Sequence, residues 1–140
     1  MAHQFAAIAF TPTVRELQVT HGSRDSYAPM DTRADYNHEL SEREITFIED
    51  RDSFYIASVS ETQWPYIQHR GGPAGFMKVI DNKTIGFADY SGNRQYVSTG
   101  NLTNNNRVSL FFMDYPNQRR LKMLGRVEIL TGADAQLLAD

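Results

Sequence analysis

With 140 residues, a net charge of −3 and acidic and basic residues interspersed, the chain carries no basic field, which argues against a nucleic-acid partner despite the local cluster Arg119, Arg120, Lys122, Arg126. The length fits one domain (1–140), and the absence of cysteine excludes disulfides and thiolate metal sites, in keeping with a reducing, cytoplasmic setting. No stretch has the length of a membrane span, and His3 to Phe10 lacks the charged start of a signal peptide, so no membrane partner is expected.

Residues 1–40 read as a helix followed by an arm. Thr11 can cap, Pro12 suits the first helical position, and Val14 and Leu17 repeat three apart. From His21 to Asn37 the chain is polar, with Gly22 and Pro29, and reads as a long loop or an arm across a partner. In Leu40-Ser41-Glu42-Arg43-Glu44-Ile45, Ser41 and Glu44 form a capping box and Leu40 can staple onto Ile45, so a helix is predicted over about 42–50.

From there to residue 130 the pattern is β. Ser53 to Ser60 is aromatic and β-branched, the polar turn Ser60-Glu61-Thr62-Gln63 follows, and Trp64 to Gln68 starts a second strand with Pro65 at its head. Phe76 to Ile80 and Thr84 to Tyr90 flank Asp81-Asn82-Lys83 as a hairpin. Arg107 to Met113 sets Val108, Leu110 and Phe112 against Ser109, Phe111 and Met113. A long last strand places Leu121, Met123, Val127 and Ile129 on one face, with Gly125 suggesting a bulge or a close backbone approach. Few helices and antiparallel hairpins favour a small closed barrel, since closure removes sheet edges. Phe54, Ile56, Phe87, Leu110, Phe112 and Met123 would fill it. Residues 131–140 read as the start of a C-terminal helix, either short or cut off at Asp140.

Between the fourth and fifth strands, residues 91–106 hold a glycine turn followed by about two helical turns. In Tyr90-Ser91-Gly92-Asn93-Arg94-Gln95-Tyr96 an apolar strand ends at a glycine, and an arginine stands just before a helix. Unpaired helix amides and a bidentate guanidinium are the parts of a phosphate cradle. The equally simple alternative is a solvated strand-turn-helix junction.

The run from Trp64 to Leu130 resembles the pyridoxamine 5′-phosphate oxidase-like family of flavin-binding split barrels. The matching pieces are Pro65-Tyr66, Gln68-His69-Arg70-Gly71-Gly72, Gly86-Phe87-Ala88-Asp89, Gly92-Asn93-Arg94-Gln95, Asn106 to Phe112, Arg119-Arg120-Leu121 and Gly125-Arg126-Val127-Glu128. The resemblance implies a mainly β, six-stranded antiparallel split barrel with a few short helices, and a homodimer with FMN between the subunits. It also implies cofactor contacts at Gln68, His69, Arg70 and Gly71, at Ala88 and Asp89 along the isoalloxazine edge, and at Asn93, Arg94 and Gln95 around the phosphate. From the partner subunit, Arg119 or Arg120 would reach the ring system. Two departures separate the chain from the oxidase proper: Gly71-Gly72-Pro73-Ala74-Gly75 replaces an unbroken apolar strand ending in lysine, and the family's C-terminal arginine and histidine have no counterpart before Asp140.

Several residues keep two readings. Arg70 is either a ligand contact or a surface charge at a strand end. His69 lies on the opposite strand face from Arg70 and suits a structural place. Trp64 and Tyr66 either stack on a cofactor or fill the core. If Gly71 and Gly72 admit a ligand, a valine at 72 should expel it without unfolding the protein. No residue has the setting of a dedicated acid, base or nucleophile. The expected activity is therefore a flavin-dependent oxidation or reduction of a small molecule, with a nicotinamide nucleotide or oxygen as the other partner. Its rivals are a non-catalytic flavin store and a split barrel using a deazaflavin or haem. No metal site is expected, since His3, His21 and His38 lack ligand spacing.

Overall fold

The computed structural model describes residues 4–31, 38–88 and 97–130. The chain divides into two compact units, Met1–Ser41 and Glu42–Asp140. In the first, α1 spans Gln4–Ala9 and α2 spans Pro12–Thr20. Val14 donates its amide to Thr11 Oγ1 at 3.3 Å, so the sequence-predicted cap is in place. Gly22, at φ 79°, ends the helix.

The arm expected over 21–37 is helical as far as it is described: α3 spans Arg24–Tyr27 and a 3₁₀ turn follows at Ala28–Asp31. Charge organises it where apolar periodicity is missing. Asp31 accepts from both Arg15, at 3.4 Å, and Arg24, while the Phe10 and Tyr27 rings meet edge to face at 5.7 Å.

The second unit opens with α4, Glu42–Glu49, whose Ile48 is fully buried. Six strands follow among the described residues: β1 Ser53–Val59, β2 Pro65–Gly71, β3 Lys78–Asp81, β4 Thr84–Gly86, β5 Arg107–Asp114 and β6 Arg119–Arg126, with α5, Val97–Asn104, between β4 and β5. All pairings are antiparallel, and the fold is mainly β. The strands form a four-stranded sheet in the order β2-β1-β5-β6 and a separate hairpin β3-β4. No ladder joins the two among the described residues, so the closed barrel expected from the hairpin pattern is not seen in the hydrogen bonding. Alternation specifies which side chains face inward but not which strand edges pair.

Period-two burial fixes the inner face of the sheet. On β1, Phe54, Ile56 and Ser58 are buried, and on β5 Val108, Leu110, Phe112 and Asp114. Phe54 sits at the centre of an aromatic cluster, 5.5 Å from Phe112, 5.8 Å from Phe76 and 5.0 Å from Phe87. Burying rings of this size contributes about 1.5–3 kcal/mol each, so this cluster is the main hydrophobic anchor of the unit. Phe76, Met77 and Ile48 join the core, although the sequence pattern did not single them out; Phe87 and Met123 are half-buried.

Gly125 makes no bulge, and nothing among the described residues approaches it closely. The β5–β6 register runs unbroken from Asp114↔Arg119 to Arg107↔Arg126, and a Cβ on Gly125 would meet open space. The irregularity lies instead in the β3–β4 hairpin, between Val79 and Asp81. β6 ends at Arg126 rather than continuing to Leu130, although Val127 still donates to Asn106 O at 2.8 Å.

The glycine-rich loop after β2 is tied to the turn between α4 and β1. Gly72 donates to Asp52 O at 2.9 Å and Gly75 to Arg51 O at 3.2 Å. A Cβ on Gly72 would lie 2.9 Å from Phe76 Cγ, so its missing side chain makes room for a core ring. This corrects the expectation that valine at 72 would act by local exclusion of a ligand: its first effect falls on the core.

Candidate functional site

β2 brings two of its four sequence-predicted site residues, Gln68 and Arg70, to the inner face of the sheet. Tyr66, Gln68 and Arg70 are half-buried and alternate with exposed Ile67, His69 and Gly71. In register, Gln68 lies opposite Ile56 and Arg70 opposite Phe54, so both stand beside the hydrophobic core. His69 faces the other way, its ring 5.4 Å from Tyr55. A Cβ on Gly71 would meet His69 Cε1 at 3.3 Å and Asp52 O at 3.4 Å, so its closest neighbours are also protein.

α5 meets this sheet through polar groups. Its buried residues are Ser98 and Asn101, three apart and therefore on one helix face. Ser98 donates its hydroxyl to Gln68 Oε1 at 2.7 Å, and Asn101 Nδ2 donates to Ser58 Oγ at 3.0 Å. Helices of this size usually dock by an apolar stripe; here hydrogen bonds set the placement.

The middle of the sheet's outer face is apolar and open. Tyr55, Ala57, Ile67, Ser109 and Phe111 line a shallow depression of about 320 Å³. Ile67 is 66% exposed, and Leu124, opposite Ser109, is 41% exposed. Tyr55 and Tyr115 join hydroxyls over this face at 3.4 Å, and that bond raises the Tyr115 phenol above its ordinary 10.0. Trp64, at the β1–β2 turn, is 73% exposed and so fills no core.

The two arginines that open β6 face opposite ways. Arg119 pairs with Asp114 at 3.1 Å, and its guanidinium stands 5.8 Å from the Phe47 ring. Asp114 also accepts from Asn117 at 2.9 Å and pairs with Arg51 at 3.4 Å. The Asn117 hydrogen bond, with Arg119 and Arg51 adding to it, holds the Asp114 carboxyl below its ordinary 3.8. Arg120 is exposed, and its register partner Met113 belongs to the outer-face row of β5.

Of the residues singled out in the sequence, the structure thus brings Gln68 and Arg70 together on the inner face, turns His69 and Gly71 outward, and leaves Ala88 exposed just past β4. Asp89, Asn93, Arg94 and Gln95, with the glycine turn they surround, lie outside the described residues. Ser98 and Asn101 went unnoticed in the sequence. The signal was a pair of polar residues three apart in a crossover helix that lacks an apolar stripe. Among the described residues no helix is long and apolar enough to cross a membrane, and no group of His, Asp or Glu could hold a metal ion.

Tyr66, Gln68 and Arg70 supply neutral and cationic donors with no carboxylate among them, a set that fits an anionic group such as a phosphate. Comparison with solved structures bears on the fold. HupZ of Group A Streptococcus is similar at 18% identity in two crystal structures, with TM-scores of 0.57 and 0.55, over 71% of this chain and 78% or 74% of that one. A candidate pyridoxamine 5′-phosphate oxidase of Lactobacillus delbrueckii is similar at 18% identity and a TM-score of 0.50, over 64% of this chain and 67% of that one. No curated protein matches significantly. The family model described as pyridoxamine 5′-phosphate oxidase matches residues 40–139, which takes in α4, all six strands and α5. The chain belongs to the pyridoxamine 5′-phosphate oxidase family.

Proposed function

We propose that this chain is an FMN-binding split-barrel protein that oxidises or reduces a small organic molecule, with a nicotinamide nucleotide or oxygen as the second redox partner. The observation that supports this reading is the placement of Gln68 and Arg70 on the inner face of β2, with Ser98, in the first turn of α5, bonded to Gln68. Gln68 and Arg70 would hold the nucleotide, with Asn93, Arg94 and Gln95 at its phosphate and Ala88 and Asp89 along its ring. The bound flavin would supply the redox chemistry. The protein's share is orientation and charge.

The functional unit in this proposal is a cytoplasmic homodimer whose interface includes the open face of the four-stranded sheet. That face exposes Ile67, Leu124 and the Tyr55–Phe111 depression, an apolar patch bordered by Lys122 and Arg120 of the kind that marks an interaction site. Arg120 lies on it and would be the residue lent to the partner's site, while Arg119 stays with Asp114.

Anaerobic titration of the FMN-loaded protein with NADH and NADPH tests the enzymatic part. Bleaching of the flavin bands by either nucleotide, followed by recovery on admitting oxygen, is the expected result. A flavin that stays oxidised with every donor would indicate a store rather than an enzyme.

A further inference from the structure

From the Ser98–Gln68 contact we infer that Ser98 is a positioning residue that fixes the side-chain amide of Gln68 with its NH₂ group toward the ligand, making this part of β2 selective for a group that only accepts hydrogen bonds. The inference rests on the reading of the inner face as a flavin-nucleotide site and names the part of the ligand that this stretch reads.

A glutamine amide has one accepting and one donating end, and a ligand meets whichever end is turned to it. Here the accepting end is occupied: the Ser98 hydroxyl donates to Gln68 Oε1 at 2.7 Å. Ser98 is 4% exposed and is held in register by Asn101, one turn further along α5, which is 7% exposed and bonded to Ser58 on the neighbouring strand β1. The amide is thereby pinned from the helix side. Among the described residues the Gln68 amide makes no other hydrogen bond, and its side chain is half-buried.

Arg70 follows two residues later on the same face, about 6.6 Å along the strand, and its guanidinium consists of donors only. Gln68 and Arg70 therefore place two donor-bearing side chains on one face of the strand. A phosphate monoester, with acceptor oxygens and negative charge, matches that pair, whereas the imide edge of a flavin ring places an N–H between its two carbonyls and matches it poorly. Stability alone does not account for the arrangement. Neutral hydrogen bonds add little net free energy, and an apolar pair of similar shape would dock α5 about as well. What the polar pair adds is a defined orientation of the amide.

Titration of the full chain with FMN and with riboflavin, followed by flavin fluorescence, separates the possibilities. Ser98→Ala should weaken FMN by roughly fivefold to tenfold, the effect of one neutral hydrogen bond, and leave riboflavin within about twofold. Gln68→Glu is the sharper variant, because its carboxylate still accepts from Ser98 and keeps α5 docked while the NH₂ donors are gone. It should lose FMN by at least about tenfold, with the circular dichroism spectrum and riboflavin binding retained. Equal losses for both flavins in Ser98→Ala, or wild-type FMN affinity in either variant, would overturn the inference while leaving the flavin reading intact. A wild-type protein that binds neither flavin would overturn that reading, and the inference with it.

Discussion

Arg119 and Asp114 close the β5–β6 turn with an ion pair of 3.1 Å, and this contact separates two adjacent arginines that the sequence left equivalent. Arg119 is held on the inner side by the carboxylate, whereas Arg120 remains exposed on the apolar outer face. Arg120→Ala should weaken FMN by roughly 1.5–3 kcal/mol, the worth of a hydrogen bond from a charged donor. Arg119→Ala should leave FMN affinity unchanged and lower the denaturant midpoint. Equilibrium titration and urea unfolding of both variants check the assignment, and the reverse pattern would refute it.

The same carboxylate should make stability depend on acid. Asp114 is held below 3.8 by Asn117, Arg119 and Arg51, so its folded state binds a proton less readily than its unfolded state. Its contribution is fully present above the unfolded value and is lost as pH falls through the folded one. Urea unfolding at stepped pH should show stability decreasing below about pH 4. In Asp114→Asn that decrease should be shallower, and identical slopes in both proteins would show that Asp114 is not a source of it.

Glycines at two positions should respond in opposite directions. At 72 a Cβ would lie 2.9 Å from the Phe76 ring, so Gly72→Val should overpack the core and cost about 1–3 kcal/mol of stability. Gly100, inside α5, faces open space and has no positive φ, so Gly100→Ala should stabilise by about 0.5–1 kcal/mol. Thermal and urea denaturation measure both. A destabilised alanine variant at 100 would mean that something covers that helix face.

Assembly is tested on the outer face. Phe111→Glu places a charge in the centre of the Tyr55–Ile67–Phe111 depression without touching the inner core. Sedimentation equilibrium should find the wild-type chain dimeric and this variant monomeric, with its bound FMN lost as well. A variant that keeps both size and flavin would move the interface elsewhere.

Alternation made much of the fold legible. The inward rows Phe54, Ile56 and Val108, Leu110, Phe112 follow directly from period-two patterning, and Thr11-Pro12 marked the start of α2 through its own capping chemistry. The division of the strands into a four-stranded sheet and a hairpin was not legible, because pairing depends on edges brought together across long loops. The helical turns at Arg24–Asp31 were hidden for a different reason: Asp31 is bound to Arg15 and Arg24 across the unit, and charge pairs of that kind have no periodic signature. In the site, Gln68 and Arg70 could be placed on one face by counting along the strand. Ser98 could not, since its role depends on how α5 lies on the sheet.

The most direct test of the whole account is isothermal titration of the purified, flavin-free protein with FMN, accompanied by its visible spectrum. Saturation at one FMN per chain, with the flavin bands of a yellow protein and affinity well above that for riboflavin, is the predicted result. No heat of FMN binding, or a red protein whose spectrum is that of haem, would contradict it.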